Sequence, residues 1–212
     1  MNQHPIVELP LRARARRLLQ RGLNRLEGIE SRILEIRAED PLAREFAEFG
    51  HGSVIQSPRV ALINPSSVAI GANVIIRSYL CIEALAPPDV VILRFGDRAH
   101  IGHNVRFVAW SGIEIEEDCG IGHGSTIADT IHDWSEVLDG RPPAEARFVP
   151  GPPLRIKRGA WIGNNCVVNG GLTIGERAII APNSVVRRDV QPETIVSGNP
   201  ARRVPIAKPE SS

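Results

Sequence analysis

From Ile156 to Gln191 the chain divides into six consecutive hexads, IKRGAW, IGNNCV, VNGGLT, IGERAI, IAPNSV and VRRDVQ, with no slip of register. The first position is always β-branched and apolar: Ile156, Ile162, Val168, Ile174, Ile180 and Val186. The fifth is mostly small: Ala160, Cys166, Leu172, Ala178, Ser184 and Val190. The same register appears earlier at Ile70, Ile76, Ile101, Ile115 and Ile121, broken by a two-residue slip around Ile113. A period of six fits neither a 3.6-residue helix nor hairpins with turn signals every 8 to 12 residues. It fits a short flat strand followed by a corner, three of which close a triangular coil of about 18 residues. The first residue of each hexad then points inward, coils stack about 4.8 Å apart with their backbones paired, and Gly or Asn occupies corners where φ is positive.

Two stretches leave this pattern: residues 84–94, and the longer excursion 130–154, which carries prolines at 142, 143, 150, 152 and 153. A long segment leaving a rigid scaffold is a place to look for function. Residues 1–50 also lack the hexad. Leu19, Leu23, Leu26, Ile29, Ile33 and Ile36 fall at helical spacing, predicting an N-terminal helical segment. It either caps the open end of the prism or, through Arg12, Arg14, Arg16, Arg17, Arg21 and Arg25, makes peripheral contact with an anionic membrane surface. The domain division is therefore 1–50 helical segment, 51–204 coils with the excursion, and 205–212 tail.

Composition narrows this further. Aromatics are only 4% of the 212 residues, so the core must be aliphatic. With 25 basic and 24 acidic residues the formal charge is +1, and nothing in that balance calls for a nucleic-acid partner. The start has no apolar signal region and no stretch approaches a membrane span, which predicts a cytoplasmic protein. Cys81, Cys119 and Cys166 match neither a zinc site nor a disulfide framework and read as small apolar side chains.

The run WIGNNCVVNGGLTIGERAIIAPNSVVRRDV, followed by IVSGNPARRV, resembles the hexapeptide-repeat acetyltransferases, specifically the maltose, galactoside and polysaccharide O-acetyltransferases. The resemblance is strong from about 156 to 204, weaker back to about 58, and absent from the N-terminal segment. It implies an all-β, left-handed parallel β-helix; the hand comes from the family, since parallel crossovers are otherwise almost always right-handed. It implies acetyl-CoA as co-substrate and a sugar or glycan-precursor acceptor in polysaccharide biosynthesis; the flat repetitive faces, and a protruding loop with few apolar residues of its own to fold against, predict a homotrimer.

The family places a histidine where the loop leaves the coils, often as D-H-x-H; here the stretch reads Ala128-Asp129-Thr130-Ile131-His132-Asp133-Trp134. His132 matches the second, catalytic histidine, and Asp129 or Asp133 would orient its ring. A neutral imidazole takes the proton from the attacking hydroxyl or amine, which is otherwise a weak nucleophile. For the cofactor, the resemblance assigns Asn164 and Pro182 to the pantetheine arm, and Arg187, Arg188 and Arg202 to the nucleotide phosphates, for which the guanidinium fork is well suited. Solvated corners are the alternative reading of those arginines. Asn169-Gly170 and Pro182-Asn183 depart from the family's apolar-Pro and Ala-Gly pairs. Trp110 and Trp134 either present faces to a sugar ring or pack in core or interface.

N-acetylation of an amino sugar needs the same base and thioester, so it stays open beside O-acetylation. Two other classes compete. His100, His103 and His123 suit a γ-type carbonic anhydrase zinc site, with solvated corners as the alternative, although the downstream tail is of acyltransferase type and implies no metal. A non-catalytic β-helix scaffold would need neither the histidine-bearing excursion nor the arginines.

Overall fold

The computed structural model describes residues 35–205, apart from 86, 88 and 89. The hexads form a left-handed parallel β-helix with three faces, visited in rotation. The first face stacks Val54–Ile55, Ile75–Ile76, His100–Ile101, Gly120–Ile121, Trp161–Ile162, Ile179–Ile180 and Ile195–Ser197. The second stacks Ala61–Ile63, Cys81–Ala84, Arg106–Ala109, Thr126–Ala128, Val167–Asn169 and Val185–Val186. The third stacks Glu48–Phe49, Val68–Ile70, Leu93–Phe95, Ile113–Ile115, Leu154–Ile156 and Thr173–Ile174.

Register partners on the first face run Ile55, Ile76, Ile101, Ile121, Ile162, Ile180 and Val196, all buried, so like side chains stack on like along the axis. The small fifth residues lie beside them: Ala99, Cys119, Ala160, Cys166 and Ala178 are closed off from solvent. Burial pushes the Cys119 thiol up to about 11, so this cysteine is packing material and not a nucleophile. Cys81 differs, lying on the outward row of the second face beside Glu83.

The corners take positive φ as expected at Asn73, Asn104, Asn165 and Asn183. They also do so at Arg98, Asp118, Arg177 and Glu193, which the Gly/Asn expectation omits. These charged corners are cross-braced, Arg98 to Asp118 and Arg177 to Glu193, so side chains of successive coils pair where the backbone is strained.

Both ends of the prism are closed by antiparallel strands. At the N-terminal end Ile36–Arg37 pairs with Val54–Ile55, a 3-10 helix spans Pro41–Glu45, and Phe46 meets Phe49 edge-on at 5.3 Å. The helical segment expected to reach residue 50 therefore does not include 36–49. Asp40 accepts the Arg37 N–H at 2.6 Å, Pro41 lacks an N–H to continue a helix, and Ile36 is buried opposite Ile55. Residues 1–34, with the arginine-rich stretch and its suggested membrane contact, lie outside the described residues. No helix among the described residues is long and apolar enough to cross a membrane. At the C-terminal end Arg202–Arg203 folds back on Ile195–Ser197.

Where glycine follows an inward aliphatic, as at Gly71, Gly102, Gly122, Gly163 and Gly175, it has a steric cause. A Cβ on Gly122 would lie 2.5 Å from the Gly163 carbonyl carbon, and one on Gly163 would lie 2.7 Å from the Pro182 nitrogen. Backbone of the next coil cannot retreat without breaking its ladder. Gly122→Ala should therefore cost about 1–3 kcal/mol and lower the melting temperature by roughly 2–10 °C. An unchanged melting curve would contradict this account of the coil spacing.

Candidate active site

The excursion leaves the second face after Ala128 and forms an antiparallel hairpin, Thr130–His132 against Phe148–Pro150, with His132 opposite Phe148. Its tip is organised by its own polar contacts. Asp133 caps the helix Trp134–Leu138, accepting from the Ser135 N–H at 3.0 Å and the Ser135 hydroxyl at 2.5 Å. The Ser135 hydroxyl bond holds the Asp133 carboxyl below the usual carboxylate range. Glu136 accepts from Arg147 Nε at 2.5 Å and Arg147 N–H at 3.0 Å, and Arg141 lies 3.5 Å away. That network, invisible as a motif, gives a segment of few apolar residues a defined shape.

The base of the hairpin is seated on the coils. Asn169 donates through its amide to the Thr130 carbonyl at 3.4 Å, and Gly170 N–H donates to Ala128 at 3.0 Å from a φ of 104° that a side chain would strain. The Asn-Gly departure from the family pattern thus has a local purpose. Asp129 and Asp133, expected to orient the His132 ring, also hold backbone in place. Asp133 is the helix cap, and both oxygens of buried Asp129 accept backbone N–H groups of Trp110, Ser111 and Gly112 at 2.7–2.8 Å.

Beside the hairpin lies a groove of about 500 Å³ lined by Ile131, Trp134, Val167, Asn169, Gly170, Val185 and Arg187. Arg187 also lines a concavity of about 390 Å³ at the C-terminal end, together with Arg188, Arg202 and Arg203. The three arginines expected to meet phosphates are therefore brought together, and Arg203 joins them. None of the four forms an ion pair among the described residues, whereas Arg98, Arg106, Arg147, Arg158 and Arg177 all do. The sequence signal for Arg203 was its place beside Arg202 on a strand that folds back toward Val196.

Asn164 and Pro182 stack at the opposite edge of the same face, where Asn183 N–H donates to the Asn164 carbonyl at 2.9 Å. Asn164 Oδ1 accepts the His123 N–H at 2.9 Å, and Pro182 has no N–H to offer a ligand. Trp134 is 69% exposed over the groove, and Trp110 is 38% exposed on the turn clamped by Asp129. Neither is core.

His103 and His123 stack with ring centroids 5.1 Å apart. His103 Nδ1 meets the Ser78 hydroxyl at 2.8 Å, and His123 Nδ1 accepts the His103 N–H at 2.8 Å. Burial, then the neighbouring His123, holds the His103 pKa below its ordinary value. Both Nδ1 atoms are thus engaged within the corner. Among the described residues no three His, Cys, Asp or Glu side chains converge as a metal set would.

Residues 153–188 match the family model for the bacterial transferase hexapeptide, six repeats. Galactoside O-acetyltransferase of Escherichia coli (strain K12) is 28% identical over 73% of this chain and 72% of its own. A chloramphenicol acetyltransferase of Klebsiella aerogenes is 43% identical, over only 23% of each chain. Among solved structures, AntD, an N-acyltransferase from Bacillus cereus in complex with dTDP and 3-hydroxybutyryl-CoA, superposes with a TM-score of 0.66 at 20% identity, covering 80% of this chain and 87% of that one. Over residues 153–188 the chain carries the bacterial transferase hexapeptide repeat, and it is similar to the hexapeptide-repeat acetyltransferases.

Proposed function

We propose that this protein moves an acetyl group from acetyl-CoA to a hydroxyl of a sugar or glycan precursor, with His132 as general base. The observation that carries this is the continuity at Arg187. One side chain belongs both to the groove beside the His132 hairpin and to the arginine-lined concavity. An acyl-CoA is itself a molecule with a reactive thioester at one end and phosphates at the other. Galactoside O-acetyltransferase, the relative matched over most of the chain, supports the O-acetyl reading.

In this reading Arg187, Arg188, Arg202 and Arg203 meet the phosphates, and the arm runs along Val185 and Val167 toward the hairpin. Asn164 and Pro182 border its path. Trp134 and Trp110 present ring faces to the acceptor. The acceptor oxygen attacks the thioester carbonyl carbon while its proton passes to the imidazole of His132. The C–S bond then breaks, and the imidazolium returns the proton to the departing thiolate, so ester and free thiol leave with the base restored.

A homotrimer fits the chemistry of the faces. The outward row of the third face is Glu48, Ala69, Arg94, Glu114, Arg155 and Thr173, suited to water. On the first face it is Val54, Ile75, His100, Gly120, Trp161, Ile179 and Ile195, with Trp161 58% exposed. Apolar rows on a water-facing sheet are what a neighbouring copy covers, and closed cyclic packing would set one copy's first face beside the next copy's hairpin. Light scattering at micromolar concentration should give three times the chain mass; a monomer would overturn this assembly.

The function is tested by following free thiol with acetyl-CoA and a panel of galactosides, nucleotide-linked amino sugars and chloramphenicol. Turnover confined to amino sugars would replace the O-acetyl reading with N-acetylation, and no thiol release with any would remove it. With the best acceptor, His132→Ala should lower kcat by about 10² to 10⁴ and leave KM for acetyl-CoA nearly unchanged. The wild-type rate should fall as pH drops through the imidazole range, about 6.5 when unshifted, because the protonated ring accepts no proton. Near wild-type turnover in that variant would dismiss His132 as the base.

The arginines make a separate prediction. Arg187→Ala, Arg188→Ala and Arg202→Ala should each raise KM for acetyl-CoA more than for acceptor, by up to about 10- to 100-fold for a charged hydrogen bond lost in full. Isothermal titration with adenosine 3′,5′-bisphosphate should show the same loss. Unchanged binding in all three would place the nucleotide elsewhere.

A further inference from the structure

Asp129 stands at the joint between coils and excursion, and its bonds reach three separate segments. Its carboxylate is wholly buried; Oδ1 accepts from Trp110 N–H at 2.8 Å, and Oδ2 from Ser111 and Gly112 N–H at 2.8 and 2.7 Å. Its own N–H donates to the Val108 carbonyl at 3.2 Å, and its carbonyl accepts the Gly151 N–H at 2.7 Å, where the excursion returns. The next residue, Thr130, opens the hairpin strand that ends at His132.

A buried carboxylate without compensation is strongly unfavourable, so three converging amides are a matched set rather than incidental contacts. The turn they hold carries Trp110, one coil before the hairpin. Both ends of the excursion are held by the same residue.

We infer that Asp129 is a positioning residue: its buried charge fastens the Trp110–Gly112 turn and both ends of the excursion hairpin into one rigid unit. The functional meaning rests on reading His132 as the base. Fixing the turn to the hairpin base then fixes where an acceptor on Trp110 lies relative to that histidine. A change of about 1 Å in such a geometry is enough to lower turnover a hundredfold.

Asp129→Asn keeps the size, removes the charge and sets an NH₂ group among N–H donors. By amide hydrogen exchange, residues 110–112, 130–132 and 148–149 should all exchange faster in this variant, while coil amides between 156 and 186 keep their wild-type protection. Faster exchange confined to 110–112, or spread evenly through the coils, would overturn the inference. Gly151→Ala attacks the joint from the returning side, since its Cβ would lie 2.5 Å from the Asp129 carbonyl oxygen, and should give the same paired loosening. That variant keeps the test decisive if Asp129→Asn fails to fold.

Titrating the His132 ring by NMR separates positioning from direct pairing. In Asp129→Asn its pKa should stay within about 0.3 of wild type, whereas loss of a partner carboxylate would lower it by about 1 or more. A drop of that size would overturn the inference. With the best acceptor of the panel, kcat should fall while KM for acetyl-CoA holds. If His132→Ala proves active, the exchange pattern still decides whether Asp129 fastens the joint, so the two ideas fail separately.

Discussion

The spacing of the coils, set by backbone hydrogen bonds from each coil to the next, governs everything else in this molecule. Gly122 N–H donates to the Ile162 carbonyl and Gly163 N–H to the Ile180 carbonyl, and no coil can move away from its neighbours without breaking pairs along a whole face. Residues above and below one another must therefore fit at a fixed distance. Inside the prism that favours stacks of like aliphatics beside small fifth residues. At corners such as Gly122 and Gly163 it requires glycine, because the next coil's backbone already occupies the space of a Cβ.

This rigidity decides where chemistry is possible. Outward rows of the coils are flat and regular, and a flat row encloses nothing. Two concavities arise where the chain departs from the repeat: beside the hairpin that leaves after Ala128, and at the end where Arg202–Arg203 folds back. Both departures border the second face, and Arg187 spans the distance between them. The cationic end and the histidine-bearing hairpin are thereby held in a fixed relation by the pitch of the coils alone. A loop-built site would need many contacts to reach that precision.

The architecture was legible in the sequence because a period of six repeated without slippage admits few solutions, and each hexad repeats the same local instruction. The placement of Arg187 and Arg188 was legible for the same reason: both occupy fixed positions of a known hexad. What stayed hidden was non-local. Asp129 was read only beside the nearby histidine, and its bonds to the amides of residues 110–112, about one coil earlier in the stack, were not foreseen. His103 and His123 read as possible ligands, yet their Nδ1 atoms are engaged by Ser78 and by the backbone between coils. The helical spacing ended at Ile36 and the expected segment ran on to residue 50; there Pro41 and the burial of Ile36 against Ile55 leave a strand and a short 3-10 helix instead.

The departures from the family pattern bear on substrate handling more than on fold. Pro182 removes an N–H at the corner that the resemblance assigns to the pantetheine arm. Asn169 and Gly170, in place of an apolar-Pro pair, turn a corner of the coil into the seat of the hairpin through the Thr130 and Ala128 carbonyls. The same two residues line the groove. The groove wall and the hairpin that carries His132 thus share a structural element. Because the coils beneath cannot yield, a displacement of that wall at Asn169 is passed to the hairpin and not to the coils.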